Sequence, residues 1–451
     1  MSLLDIELPL GRHWGEVRDA FEVTKKPRGL DMTGVEAIPF AAMEAIPQGG
    51  DFEATFTMKA PTAIASGTYF ERGDVLVAKI TPSFENGKQA ITTDLPAPFG
   101  LATTEVIPLH PRTHDHDPRF LFFYLLHPDV RSFVAEKMEG ATGRQRVPES
   151  VLLSLPYPEM TPDDQRSIAD VFCLVRKVVR LESRSEGNAL ALKRAAMREL
   201  FTRGLRDEAP KDTEVGSIPA SWSLTSIGEH FSVGSGGTPS RGVAEYWQDG
   251  SIPWVKTTEI DYRVITDTLE RITRAGLENS AAKILPIGTL LMAMYGQGVT
   301  RGRVAILGID AACNQACAAI QPIDESIDRR FLFHFLAFRY DEIRRMSHGG
   351  QQQNLNGDIV RALPVWHPTD EDNAEQREIV KILDAIDKKI DLHKRKRAVL
   401  EELFKTLLHK LMTGEIRVTD LDLSALRQNG SIELEASRST ASQNAEPGRK
   451  L

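Results

Sequence analysis

Two polar, glycine-rich loops carry the side chains of this chain that are best suited to read nucleic acid. The first loop contains Arg144, Gln145 and Arg146, and the second contains Gln351, Gln352, Gln353 and Asn354. Glutamine and asparagine can bond bidentately to adenine and arginine to guanine in the major groove, and all three can reach phosphates. A solvated surface turn is the alternative for each loop. Because the loops occupy matching positions in an internal repeat, we predict that both contact DNA.

Several basic, aromatic and amide residues near predicted strands are weaker candidates for the same role. Apolar runs at 73–80, 288–295 and 303–307 are typical of strands because they follow turn residues and are rich in β-branched or large apolar side chains. The weaker candidates for DNA contact are Lys79, Lys256, Tyr295, Gln297, Arg301 and Arg303.

Other possible sites of chemistry are incomplete. Cys313 and Cys317 would need two further ligands for a zinc site, and no such spacing is evident. His110, His114 and His116 lie in a loop rich in proline and aspartate, which favours a solvated loop over a metal site. The stretch 234–239 lacks the Gly-Lys-Ser/Thr of a phosphate loop. We therefore predict no catalytic residue and no metal ligand in this chain, and a binding protein rather than an enzyme.

Two long amphipathic helices must position these loops. Residues 164–204 and 370–412 carry apolar residues at three- and four-residue spacing, and each would be about 60 Å long. The two stretches align without gaps at an offset of roughly 210 residues, which marks an internal duplication. Gln165-Arg166 matches Gln376-Arg377. The residues predicted to pack between helices are Ile168, Val171, Phe172, Val175, Leu200, Ile379, Ile382, Leu383, Ile386 and Leu411.

The repeat predicts a chain of globule, helix, globule, helix. We place the first globule at 1–160, the central helix at 161–206, the second globule at 207–370 and the C-terminal helix at 371–415. The polar stretch 416–451 is predicted to be disordered. The run 152–156 is expected to be a short strand that closes the first globule. The fold class is α+β, with two mixed α/β domains joined by two long antiparallel helices in a coiled coil, related by a pseudo-twofold duplication.

Composition limits the possible classes of protein. The chain has 451 residues, of which 41% are hydrophobic and 26% charged, and its formal net charge is −8. That charge argues against a protein that coats nucleic acid nonspecifically, although a local basic patch could still bind DNA. Three cysteines indicate a reducing environment. With no signal-peptide pattern and no apolar run near the ~20 residues that span a membrane, we expect a cytoplasmic protein.

The combination of motifs resembles the specificity subunits of Type I restriction–modification systems. The motifs are Gly-Gly-Thr-Pro-Ser-Arg at 236–241, Ile-Pro-Trp-Val at 252–255, the glycine-glutamine-asparagine loop at 349–356, Gln376-Arg377, and Leu-Met-Thr-Gly at 411–414. The first globule departs from the pattern because it lacks the Gly-Gly-Thr-Pro-Ser motif and carries Thr-Gly-Arg-Gln-Arg-Val at 142–147.

The resemblance implies two target-recognition domains, each reading one half of a bipartite, asymmetric site in double-stranded DNA. It implies that the helices set the spacing of the half-sites and dock two methyltransferase subunits, and that restriction/translocase subunits join them. S-adenosylmethionine, ATP and magnesium would then belong to the partner subunits. The alternative is a two-domain coiled-coil scaffold that binds proteins and not DNA. A fused restriction–methylation enzyme would not fit in this length.

Overall fold

The fold is taken from a computed structural model. It describes residue 3 and residues 13–31, 34–49, 54–141, 143–206, 208–296, 299–346 and 354–427. Within those ranges, every helix is too short or too polar to cross a lipid bilayer.

Short strands and helices alternate with two long helices. In the first half of the chain these elements are β1 (Trp14–Glu16), α1 (Val17–Ala20), β2 (Phe21–Val23), β3 (Ile38–Ala41), β4 (Thr57–Lys59), β5 (Thr68–Glu71), β6 (Val75–Ala78), β7 (Gln89–Ile91), β8 (Phe99–Ala102), β9 (Val106–Pro111), α2 (Pro118–Leu126), α3 (Pro128–Glu136), α4 (Glu149–Leu153), β10 (Pro156–Pro158) and α5 (Pro162–Arg203). In the second half they are β11 (Pro210–Thr213), β12 (Gly216–Pro219), β13 (Ser223–Ser226), α6 (Ile227–His230), β14 (Phe231–Ser235), β15 (Ile252–Val255), β16 (Val264–Ile265), β17 (Glu270–Ile272), α7 (Arg274–Glu278), β18 (Leu290–Ala293), β19 (Val304–Leu307), β20 (Ala312–Cys313), β21 (Cys317–Pro322), α8 (Arg329–Phe338), α9 (Tyr340–Met346), α10 (Gly357–Arg361), β22 (Pro364–His367) and α11 (Ala374–Met412).

The chain forms two compact units. Unit 1 combines residues 1–184 with 394–451, and unit 2 comprises 185–393. Unit 1 has one four-stranded sheet in the order β2-β9-β6-β7 and a second in the order β4-β3-β8-β5. Unit 2 has a five-stranded sheet in the order β14-β21-β18-β19-β16 and a three-stranded sheet in the order β17-β15-β20. The first four strands of the five-stranded sheet follow the order of β2-β9-β6-β7, as the duplication predicts.

The two long helices pair antiparallel within each unit. In unit 1 an Arg176 nitrogen lies 3.0 Å from a Glu401 carboxylate oxygen, and in unit 2 the Lys193 ammonium lies 2.6 Å from Asp387. Residue numbers therefore rise along one helix as they fall along the other. Gly204 and Gly414, both at positive φ, follow the last turns of α5 and α11, where a left-handed residue commonly ends a helix. The fold class is that of two mixed domains joined by long antiparallel helices.

An equivalent glutamine anchors each long helix to its own globule. The Oε1 of Gln165 accepts from the backbone N–H of Asp117, and the Oε1 of Gln376 accepts from that of Asp328. Asp117 and Asp328 in turn cap α2 and α8, the buried apolar helices. The glutamine of the repeated Gln-Arg pair thus fixes the start of each long helix against its globule.

Two expectations are corrected by the fold. The run 152–156 was predicted as a strand, but residues 149–153 form α4, and the strand β10 begins only at Pro156. A short apolar run does not distinguish the two structures, and here the helix begins directly after Pro148. The predicted disorder of 416–451 is wrong for 416–427. Apolar residues of that stretch pack against the core of unit 1, namely Ile416, Val418, Leu421, Leu423 and Leu426. Residues 428–451 lie outside the described residues.

Candidate nucleic-acid interface

Each candidate loop is tied to the end of a central strand by the same backbone hydrogen bonds. In unit 1 the N–H of Val147 donates to the carbonyl of Lys79 over 2.8 Å, directly after β6. In unit 2 the N–H of Leu355 donates to the carbonyl of Met294 over 3.1 Å, directly after β18. Val147 and Leu355 are both buried, so each fixes the end of its loop in the core. The preceding residues, Arg146 and Asn354, are exposed.

The unit 1 loop brings three charged side chains together. Arg146 donates two hydrogen bonds to the Glu105 carboxylate, over 2.9 Å from Nε and 2.8 Å from an Nη nitrogen. The pairing of Ala78 with Val106 in β6 and β9 sets Lys79 beside Glu105, and the Lys79 N–H donates to the Glu105 carbonyl. The hydrogen bonds from Arg146, with smaller effects from the charges of Arg146 and Lys79, hold the pKa of Glu105 below its usual value.

The other two candidates of this loop differ in what the structure shows. Arg144 is exposed, and its backbone N–H donates to the carbonyl of Ala141 within the turn. Gln145 is half-buried, and its carbonyl accepts from the N–H of Thr81. The structure therefore brings Lys79, Gln145 and Arg146 to one place at the end of β6.

In unit 2 the candidates gather where β18 ends and β19 begins. Tyr295 is exposed after β18. Arg303, directly before β19, pairs with Asp261 at 2.6 Å and lies over the Tyr262 ring, 5.8 Å from its centroid. Arg301 lies in the same connection and is half-buried. Gln297, Gln351, Gln352 and Gln353 lie outside the described residues, so their predicted role stays a prediction.

Lys256 belongs to a different cluster of unit 2. It follows β15, and its ammonium contacts the carboxylate of Glu270, which also pairs with Arg241 at 2.7 Å. Burial opposes ionisation of Glu270, but hydrogen bonds from Lys256 and Arg241 leave its pKa below the usual value. Arg241 stacks on Trp247, with 3.8 Å between its guanidinium carbon and the ring centroid. Sequence reasoning missed this stack, although Arg241 ends the motif at 236–241 that it singled out.

The Gly-Gly-Thr-Pro-Ser motif has a structural role. A Cβ atom at Gly236 would lie 2.1 Å from the carbonyl oxygen of Cys313, and one at Gly237 would lie 2.2 Å from the backbone nitrogen of Ala282. The carbonyl of Gly237 also accepts a hydrogen bond from the indole of Trp254 over 2.9 Å. The two glycines thus allow backbones to approach closely in the core of unit 2, and neither presents an open phosphate-binding turn.

Among the described residues, two groups of side chains have the composition of a metal site. In His127, Asp129 and His409, the Nδ1 of His127 accepts from the Asp129 N–H, and its Nε2 lies 3.2 Å from His409 Nδ1. Burial lowers the pKa of His127 to about 4, which favours the neutral form of its ring.

The second group consists of His334, Asp384 and Asp387. Its carboxylates are already paired with cations of the protein, Arg330 on Asp384 and Lys193 on Asp387. Side chains therefore supply the positive charge that a metal would bring to this group.

The predicted packing residues of the long helices divide between the units. Ile168, Val171, Phe172, Val175 and Leu411 lie in the core of unit 1, and Ile379 and Leu383 lie in the core of unit 2. Leu200 packs against the core of unit 2, and Ile382 and Ile386 are half-buried. Each helix therefore packs against its globule as well as against the other helix.

Comparison with known proteins identifies a class of domain in the second half of the chain. Residues 219–402 match the family described as Type I restriction modification DNA specificity domain. A putative type I restriction enzyme MjaX specificity subunit of Methanocaldococcus jannaschii is 23% identical over 350 residues, covering 77% of this chain and 79% of the relative. The EcoAI specificity subunit of Escherichia coli is 30% identical over 164 residues, covering 36% of this chain and 27% of the relative.

Solved structures share the fold over most of the chain. The S subunit of a Type I restriction–modification system from M. genitalium has a TM-score of 0.58 at 15% identity, covering 91% of this chain and 98% of that one. A chain from a structure on complex assembly and conformational transition of the type I R-M system has a TM-score of 0.54 at 19% identity, covering 91% and 100%. Residues 219–402 thus carry a Type I restriction modification DNA specificity domain, and the chain is similar to specificity subunits of these systems over most of its length. The comparisons do not support the alternative scaffold without DNA recognition.

Proposed function

We propose that this chain is the DNA-recognition subunit of a Type I restriction–modification complex, and that each unit reads one half of a bipartite asymmetric site. The observation that carries this is the matched placement of the two loops. Equivalent backbone bonds hold both loops at the end of a central strand, yet one presents Arg146 and the other Asn354. Arginine suits guanine and asparagine suits adenine in the major groove. Different side chains at equivalent positions of the two units suit the recognition of two different half-sites.

The proposal includes a division of labour with partner subunits. The two long helices set the spacing of the half-sites and dock two methyltransferase subunits, with restriction/translocase subunits completing the nuclease. This chain contributes recognition and no catalysis. S-adenosylmethionine, ATP and magnesium act in the partner subunits.

The test is to express the chain with its methyltransferase subunits and map methylated bases across a bacterial genome. A two-part motif with a fixed spacer is expected. Replacing both Gln352 and Asn354 with alanine should relax one half of that motif and leave the other half intact, because a lost bidentate base contact costs about 1–3 kcal/mol. Arg274→Ala is a control in an exposed ion pair of α7 with Glu278. A map without a recurring motif, or equal weakening of both halves, contradicts the proposal.

The spacing role has a separate test at Gly187, which is exposed in α5 and has open space where a side chain would stand. Four residues inserted there add about 6 Å and roughly one helical turn, so the apolar stripe stays nearly in phase. The half-sites should stay the same while the spacer lengthens by one or two base pairs. A two-residue insertion turns the stripe by about 200° and should abolish methylation. An active four-residue variant with the original spacer would remove the spacing role and leave recognition untouched.

A further inference from the structure

An acidic residue contacts the best candidate for base reading in unit 1. Glu105 lies in the turn before β9, and its two carboxylate oxygens accept from Nε and an Nη nitrogen of Arg146. The Glu105 side chain is 25% exposed, whereas that of Arg146 is 53% exposed. The guanidinium is therefore accessible from solvent, but the edge formed by Nε and one Nη is already occupied by a carboxylate.

The ion pair is not needed to hold the loop in place. In unit 2 the positions that correspond to Lys79, Glu105 and Arg146 are Met294, Ala316 and Asn354, and none of these is charged. The backbone bonds are nevertheless the same. The Lys79 N–H donates to the Glu105 carbonyl over 2.9 Å, and the Met294 N–H donates to the Ala316 carbonyl over 2.8 Å. The carboxylate of Glu105 is thus an addition of unit 1 that acts on Arg146.

A carboxylate in this position changes which DNA groups can engage Arg146. Nonspecific affinity for DNA comes from cations that neutralise phosphates. An arginine paired with a carboxylate brings almost no net charge to a phosphate. Guanine offers two acceptors, O6 and N7, which can accept a bidentate pair of hydrogen bonds from arginine. In the free protein the Glu105 carboxylate accepts such a pair. A matched base can therefore replace both carboxylate oxygens, whereas a phosphate must also overcome repulsion from the nearby acid.

We propose that Glu105 is a specificity-determining residue, which holds Arg146 away from phosphates and releases it only to a matching base edge. This inference rests on the proposed function, because it requires that the unit 1 loop meets DNA. In this proposal Glu105 weakens binding to DNA that lacks the target site. The chain that carries this acid has a net negative charge.

The experiment measures binding of the full chain, with its methyltransferase subunits, to two duplexes of about 40 base pairs. One carries the motif found by methylation mapping, and the other lacks both half-sites. Each titration is repeated between 50 and 200 mM salt. The variants are Glu105→Gln, Arg146→Gln and their combination, and melting temperatures are compared to confirm that each is folded. Glu22→Gln is the control, because Glu22 forms an ion pair with Arg112 at 2.9 Å in the same unit, and the arginine side chain is 45% exposed there.

In Glu105→Gln, the slope of log affinity against log salt on the nonspecific duplex should steepen by about 0.9, the value of one phosphate contact. That corresponds to a change of about threefold between 50 and 200 mM salt. The ratio of specific to nonspecific affinity should fall at the lower salt. Glu22→Gln should leave both quantities unchanged. In the combined variant the slope should return to that of Arg146→Gln, since Glu105 acts through Arg146.

The contrary outcomes separate this inference from the proposed function. If Arg146→Gln relaxes one half-site while Glu105→Gln behaves like Glu22→Gln, the role of Glu105 is refuted and the recognition role stands. If the combined variant keeps the steeper slope, Glu105 repels DNA directly and does not hold Arg146, which also refutes the inference. If Arg146→Gln changes neither half-site nor slope, the unit 1 loop is not at the interface. If the unmodified complex shows no sequence preference, the proposed function itself falls.

Discussion

The two units place different chemistry at the same point of their cores. In unit 1 the rings of Phe123, Phe172 and Phe404 meet at centroid distances of 5.0 to 6.0 Å. The repeat aligns these residues with His334, Leu383 and Lys193 of unit 2. There, His334 Nε2 lies 2.8 Å from Asp384, and Lys193 binds both oxygens of Asp387. One unit thus joins its buried helix to the long helices through aromatic rings, and the other through ion pairs and a histidine–aspartate hydrogen bond.

The difference shows that the duplicated fold needs side chains that fill this part of the core. Either aromatic or charged and polar side chains can do so. All the neighbours have changed together, since a lysine among phenylalanines would be a buried charge without a partner. Polar groups in a core can also specify how helices pair. An alternative pairing that placed Lys193 against Phe123 and Phe172 would be penalised, so the two kinds of core favour the correct match of helix halves.

The largest effect is expected for loss of the aromatic contact in unit 1. Phe123 is fully buried, and Phe123→Ala should lower the free energy of unfolding of unit 1 by about 3–5 kcal/mol. Hydrogen exchange of α2 measures this, with α8 of unit 2 as the internal reference. Equal loss of protection in both units would mean that the cores are not independent at this position.

A smaller effect is expected when the ionic core is broken on one side. Lys193→Met leaves Asp387 without its cation and should cost about 1–3 kcal/mol in unit 2. Adding Asp387→Leu should recover most of that loss, because an apolar pair can replace a buried ion pair at little cost. The measurement is denaturant unfolding followed by exchange of α8. A double variant less stable than Lys193→Met would show that Asp387 matters through His334 instead.

The smallest effect concerns pH. Burial lowers the pKa of His334, so the folded protein keeps the ring neutral while the unfolded chain takes up a proton below its ordinary value of about 6.5. Stability of unit 2 from this group is complete above that pH and declines as the pH falls through it. One group can change stability by at most about 1.4 kcal/mol per pH unit.

Asp384 gives a second, separate pH window. Burial opposes ionisation of this group, but hydrogen bonds from His334 and Arg330 lower its pKa to about 2. Its contribution is therefore lost only as the pH falls from about 4 through 2.

The variant His334→Phe, which places at this position the ring found in unit 1, tests the first window. It should make the free energy of hydrogen exchange of α8 nearly independent of pH between pH 7.5 and 5. A variant with the slope of the original protein would assign the dependence to another group.

The sequence predicted the periodic and repeated parts of this molecule and missed those that depend on contacts between distant segments. The long helices and the strands β6 and β18 were predicted because apolar spacing and the repeat both report them. The strand predicted at 152–156 was wrong at 152–153, where a short apolar run fits either structure and the chain is helical. The pairing of Arg146 with Glu105 could not be read from composition. It becomes visible only once the register of β6 against β9 is known.

Unit 1 is built from two stretches of chain that lie far apart in the order of synthesis. Its core includes Phe404, Leu407, Leu408, Leu411 and Met412, which the ribosome adds after the whole of unit 2. At ~5–20 residues per second, unit 1 waits roughly 10–40 s for these side chains. During that interval Phe123 and Phe172 lack the ring of Phe404, whereas unit 2 is continuous and can close first. Unit 1 is thus begun first and completed last, and its incomplete core is available to chaperones for the longest time.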